Sequence, residues 1–191
     1  MEKNYVVMTD SSADLNPALE QELGVDIIPL SVNCGDRTFL DYPDEREIKT
    51  SEFYGMLRSG ANAKTAAANV ETFLTAMSRH LEQGKDVILD IEIQGAAQVC
   101  AKRPETVRIF IAPPSWKELE RRLTARGTDT PEKVQKRLLR AQVELKNASD
   151  YNYFVINDTV EQAVEELRAI LCAEHCKPAE RMEYILNGKE M

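Results

Sequence analysis

Apolar residues fall along this chain in short dense runs, separated by longer stretches in which they recur every three or four positions. The runs YVVM (5–8), VDIIPLSV (25–32), VILDIEI (87–93), VRIFI (107–111) and FVI (154–156) read as strands. Helical spacing occupies 17–23, 51–57, 70–83 and 160–174, and two more helices open at Ser115 and at Thr130-Pro131. In the clearest case Phe73, Leu74, Met77 and Leu81 share one helical face, with Asn69 as cap. Gly24 closes the first helix, Ser115 and Glu118 have capping-box spacing, and Pro131 suits a first helical position. Pro29, which cannot donate to a ladder, marks an edge strand or a bulge. DYPDEREI (41–48) reads as a charged loop. Strands alternating with helices predict an α/β fold, a mostly parallel sheet with flanking helices.

Composition narrows the classes without naming one. The 191 residues suit one ordinary domain or two small ones, and a content of 43% hydrophobic and 29% charged residues is that of a globular protein. A net charge of −8 argues against a general nucleic-acid partner while allowing a local basic pocket. No apolar run approaches the ~18 residues of a membrane span, so no membrane insertion is expected. Met-Glu-Lys-Asn leads straight into the first strand without a signal-peptide pattern, and the expected location is cytoplasmic. The scattered Cys34, Cys100, Cys172 and Cys176 read as reduced thiols. Cys172, His175 and Cys176 cluster at a helix end, but a structural zinc site needs about four ligands, so no metal site is expected. The arginine clusters come late, at Arg121, Arg122, Arg126, Arg137 and Arg140. Oligomeric state is not legible.

From about residue 86 to 177 the segments VILDIEIQGA, FIAPPSWKELERRLTARGTDT, the KRL of VQKRLLRAQVEL and VINDTVEQAVEEL follow one another in an order and spacing that resemble guanylate kinase. The resemblance implies a P-loop-kinase-like half and a parent reaction that moves a phosphoryl group from ATP, with Mg2+, to GMP. Such a transfer depends on in-line positioning and on positive charge around the phosphates. By resemblance Arg122, Arg126 and Arg137 take the catalytic roles in and beside a lid, with RGT (126–128) marking its hinge. Glu92 would bind the guanine ring, Asp90 would sit near the phosphates and magnesium, and Asn157 would meet the adenine. Guanine presents N1–H and an amino group, so a carboxylate acceptor suits it, and alternation along a strand puts Asp90 and Glu92 on one face. The bland alternative is that arginines on helices form surface pairs.

The kinase pattern has a gap. No GxxxxGK[ST] occurs in these residues, and the first strand is followed by MTDSSADLNP, whose Asp10 and Asp14 would repel a triphosphate. Neither the arginine pair nor the GNYYG-like segment of the GMP site precedes the central strand. In their place VVMTDSSADLNPALEQELGVDIIPLSVNCGDRTFLD, TSEFYGML and AKTAAANVETF (about 3–88) resemble the start of the DegV family, which binds fatty acids. That resemblance implies that Thr65 holds the lipid carboxylate. The chain has EIQGAAQ where the family's SSGLSGT-like turn is expected, and TDSSADL reads equally as a helix-capping turn. HLEQGKDVI is acceptable in either family, so the reading is a hybrid: a DegV-like segment over 1–85 joined to a guanylate-kinase-like segment over 86–191, able to form one continuous α/β domain. GMP and ATP, a fatty acid, or no small molecule at all remain the candidate ligands.

Overall fold

The computed structural model describes residues 4–66, 68–91, 93–125, 127, 129–178, 181, 182 and 186. The chain divides into two compact units, Met1–Pro104 and Glu105–Met191. This division concerns contacts and falls at a different place from the join at residue 86 read from family resemblance.

In the first unit β1 (Tyr5–Asp10) is the middle strand of a parallel sheet, between β2 (Val25–Ile28) and β6 (Asp86–Leu89). Val7 to Asp10 pair with Val25 to Ile28, and Tyr5 to Met8 pair with Asp86 to Leu89. A 3-10 turn at Ser11–Ala13, capped by the Asp10 carboxylate, leads into α1 (Pro17–Leu23), whose first turn is capped by Asn16 through the Leu19 N–H at 3.0 Å. Gly24 stops this helix at φ +65°, a left-handed conformation that glycine takes without strain.

The apolar run over 25–32 is two strands and not one. Pro29 offers no N–H, and the next amide, Leu30, donates to the Ser11 hydroxyl at 3.1 Å instead of a neighbouring strand. The chain then enters β3 (Ser31–Cys34), the centre of an antiparallel sheet between β4 (Arg37–Leu40) and β5 (Ala63–Ala66). Val32, Cys34 and Phe39 form its buried core, covered by Phe53, Met56 and Leu57 of α2 (Thr50–Arg58). The antiparallel sheet escaped sequence reading because β4 and β5 are four-residue strands without a clean apolar alternation.

The helix α3 (Val70–Glu82) agrees with its periodicity. Asn69 caps it through the Glu71 N–H, and Phe73, Ala76 and Met77 are its buried face. Its last turn is tied to β2 by His80 Nε2 and Asp26 Oδ2 at 2.7 Å. β6 is shorter than the VILDIEI run, because the chain turns after Leu89 and starts α4 (Ile93–Lys102). Met8, fully buried, packs in one cluster with Val6, Ile28, Phe73, Ala76, Met77 and Val99. One core therefore draws residues from both sides of position 86.

In the second unit β7 (Ile109–Ala112) pairs in parallel with β8 (Tyr153–Ile156). Three helices start where the sequence predicts: α5 (Trp116–Ala125), α6 (Pro131–Lys146) and α7 (Val160–Glu174). Val155, Ala112, Leu138 and Ala163 are buried, and the Phe110 ring stacks on Phe154 at 5.3 Å. In this two-stranded sheet Phe154 and Ile156 stay 47% and 45% exposed. No helix among the described residues is long and apolar enough to cross a membrane.

Truncating the most buried side chain of the first unit tests this core. Met8→Ala is expected to lower unfolding stability by about 2–5 kcal/mol, since the site is walled by strands and helix on every side. A urea melt followed by circular dichroism reads the shift, and an unchanged midpoint would contradict the packing.

Candidate functional site

The second unit brings two of the sequence-predicted residues together, Arg122 and Asn157. Helix α5 begins where Ser115 accepts the Glu118 N–H at 3.1 Å. The Glu118 carboxylate does not complete a capping box. It is taken by the arginines three and four residues on, neighbours on one helical face. Arg121 donates to it twice, from Nε at 2.7 Å and Nη2 at 2.6 Å, and Arg122 donates from Nε at 2.8 Å. These bonds, Arg121's first, hold the Glu118 carboxyl down at about 2, well below the usual carboxylate range.

The rest of the Arg122 fork reaches the end of β8. Nη1 donates to the Asn157 carbonyl at 2.8 Å and Nη2 to the Asp158 carbonyl at 3.1 Å. The Asn157 N–H donates to the Ala112 carbonyl at 2.7 Å, extending the ladder one residue past the strand. Arg122 and Asn157 line a small cleft of about 180 Å³, whose other walls are Ile111, Pro113, Leu119 and Leu123. That volume lies below the about 300 to 1,000 Å³ of ordinary ligand pockets. The Asn157 side-chain amide has no hydrogen bond among the described residues.

The expected lid is described in part. Gly127 adopts φ +65°, and its N–H donates to the Thr124 carbonyl at 3.2 Å. Arg126 and Thr128, on either side, lie outside the described residues. Arg137 on α6 pairs with Asp129, Nη1 to Oδ2 at 3.3 Å, and that carboxylate is largely buried. Both described arginines of the candidate set thus already face a carboxylate. Sequence reading missed Glu118 and Asp129. The i,i+4 spacing of Glu118 and Arg122 was a usable signal, whereas nothing in the spacing of Asp129 and Arg137 marked them as partners.

The remaining candidates lie in the first unit. Asp90 is exposed just past β6, its N–H donating to the Met8 carbonyl at 3.2 Å. The alternation expected to align Asp90 with Glu92 needs a strand that stops at Leu89, and Glu92 is outside the described residues. Thr65 is exposed on β5, opposite Val32, in a different sheet from the TDSSADL turn. In that turn Ser12 donates to the Asp10 carboxylate and Ser11 holds the Leu30 amide, which is the capping geometry. Among the described residues no group of three or more His, Cys, Asp or Glu side chains is placed to hold a metal.

Comparison with known proteins completes the picture. The guanylate kinase family model matches residues 62–174, more than half of the chain. The chain belongs to the guanylate kinase family. The DegV family model matches residues 4–97, so the chain is a hybrid of the two. The matches overlap over 62–97, a stretch that holds α3, β6 and the start of α4. A guanylate kinase of Caldanaerobacter subterraneus subsp. tengcongensis is 48% identical over 112 residues, 59% of this chain and 54% of that protein. One of Thermus thermophilus is 53% identical over 98 residues, 51% of this chain and 44% of that protein. The chain spans about half the length of the guanylate kinases it matches. A solved DegV family protein from Thermus thermophilus, described by its fatty-acid binding, shares 23% identity over 71% of this chain and 52% of its own. The TM-score of that match is 0.45.

The Glu118 bonds give a pH signature to this guanylate kinase segment. Its carboxyl sits at about 2 in the folded chain against an ordinary 4.5. The stabilisation is therefore complete above the ordinary value and is lost as pH falls toward the folded one. Glu118→Gln should melt below the parent at neutral pH, with the gap closing as pH falls from about 4.5 to about 2. A gap independent of pH would contradict this arrangement.

Proposed function

We propose that this hybrid is a nucleotide-binding protein, with GMP and ATP–Mg2+ as ligands, that does not by itself catalyse phosphoryl transfer between them. The observation that carries the reading is the guanylate kinase match over 62–174 together with the cleft in which Arg122 meets Asn157. An apolar slot beside an amide that has no partner among the described residues is a chemistry suited to adenine. Arg137 and Arg126 are the candidates for phosphate contact, and Arg137 would exchange Asp129 for a phosphate oxygen. Glu92 is the candidate for the guanine ring of GMP, and Asp90 for a place near the phosphates and magnesium.

Turnover needs more than this. Phosphoryl transfer relies on backbone N–H groups that wrap the phosphates at the start of a helix. The turn after β1 instead carries Asp10 and Asp14, and Asp10 already caps the Ser11–Ala13 turn. The parent reaction is therefore not expected from these residues alone.

A second reading has its own support, the DegV match over 4–97 and an exposed Thr65. It makes the chain a fatty-acid binder, with that hydroxyl on the lipid carboxylate.

Calorimetric titration with GMP, ATP–Mg2+ and a long-chain fatty acid separates the readings. Saturable heats from both nucleotides are expected, the GMP signal disappearing in Glu92→Ala, with no turnover in a coupled assay. Fatty-acid binding lost in Thr65→Val, with silence from nucleotides, would establish the second reading. Silence from all three ligands would leave a folded hybrid without a small-molecule function, and turnover would overturn the claim of inactivity.

A further inference from the structure

A carboxylate taken out of water depends on its partner far more than a guanidinium left in water does. Asp129 and Arg137 divide in that way. The Asp129 side chain is 14% exposed and that of Arg137 50%. Asp129 Oδ2 is buried and accepts no hydrogen bond, so its 3.3 Å approach to Arg137 Nη1 sets charge against charge without a directed N–H. The Glu118 carboxylate, in the same unit, shows what a fixed contact looks like. It takes three directed N–H bonds from Arg121 and Arg122, at 2.7, 2.6 and 2.8 Å. Arg137 has no such bond, and among the described residues Asp129 is its one partner. The arrangement along the chain is equally one-sided. Asp129 stands on the backbone just before Thr130, whose side chain caps α6, whereas Arg137 reaches back from within that helix on a long side chain.

The member of the pair that can leave is therefore the arginine. If Arg137 turns to a phosphate oxygen, it takes away the one cation that faces Asp129 among the described residues. A largely buried negative charge is then left without a partner, close to an incoming one of the same sign. We infer that Asp129 is an internal competitor for phosphate: its carboxylate occupies Arg137 in the free protein, and phosphate binds there more weakly by what the exchange costs. This rests on the nucleotide-binding reading above and adds to that site an autoinhibitory contact. A neutral side chain of the same shape at position 129 removes both the competitor and the stranded charge.

Wild type, Asp129→Asn, Arg137→Gln and the double variant are titrated with tripolyphosphate, with ATP–Mg2+ and with adenosine, and their thermal melts are recorded without ligand. Asp129→Asn should tighten tripolyphosphate and ATP–Mg2+ about tenfold, while adenosine, which carries no phosphate, stays within about twofold. The gain should vanish when Arg137→Gln is added. The melts examine the pair by itself. Arg137→Gln strands the carboxylate and should melt below wild type, and adding Asp129→Asn should restore most of the loss. If Asp129→Asn leaves the phosphate ligands unchanged or weakens them, the carboxylate does not compete for Arg137 and the inference fails. An equal gain for adenosine also overturns it, since the effect then has nothing to do with phosphate. So does a double variant that melts no higher than Arg137→Gln, whatever binds. Wild type and Asp129→Asn both silent to tripolyphosphate and ATP–Mg2+ overturn the nucleotide reading and the competition with it. Restoration of the melt would in that case show an ion pair that serves the fold alone.

Discussion

The parallel pairing of Tyr5–Met8 with Asp86–Leu89 is the interaction on which the first unit depends. Parallel neighbours cannot be joined by a tight turn, so all of the chain between them must leave the sheet and come back. What returns it is the buried face of α3, where Phe73, Ala76 and Met77 close over Met8. The cluster also contains Val99, which lies beyond the DegV match. Val6, Met8 and Ile28 in turn lie before the guanylate kinase match. Residues belonging to only one parent thus meet in a single core, with α3 and β6, common to both matches, as the shared layer between them.

That sharing explains why a hybrid of these two families can be locally consistent. Over 62–97 both family models match, and the structure has an edge strand, an amphipathic helix and a parallel strand there in that order. Asn69 caps the helix, Gly84 turns it into β6, and the VIL of β6 is apolar on both faces, as a parallel strand is. Cores accept apolar exchange when volume and pattern are kept, and Val99 and Met77 lie in one buried cluster.

Much of this was legible in the sequence. The helices over 17–23, 70–83 and 160–174 were marked by periodicity, the start of another by Thr130-Pro131, and the hybrid character by motifs on either side of residue 86. What was not legible has physical causes. Pro29 divides an apolar run into strands of two different sheets, a choice fixed by where the Leu30 amide finds its acceptor. The IEI of VILDIEI continues a strand-like pattern past the point where α4 takes over, so alternation overstated the strand. At the candidate site the arginines were found by resemblance, but their partners Glu118 and Asp129 were not. Glu118 looked like half of a capping box because Ser115 stands three residues before it. Its carboxylate turns instead to the stronger, charged donors on its own helix.

In the first unit β6, covered by both family models, is held by β1, covered by the DegV model alone. Hydrogen exchange on the whole chain tests that pairing most directly. The amides of the Val87–Leu89 segment should open together with those of Val6–Met8, at one common free energy, and Met8→Ala should lower both equally. Exchange of the Val87–Leu89 segment that is fast, or that follows the β7–β8 pair while Val6–Met8 stays protected, would contradict it.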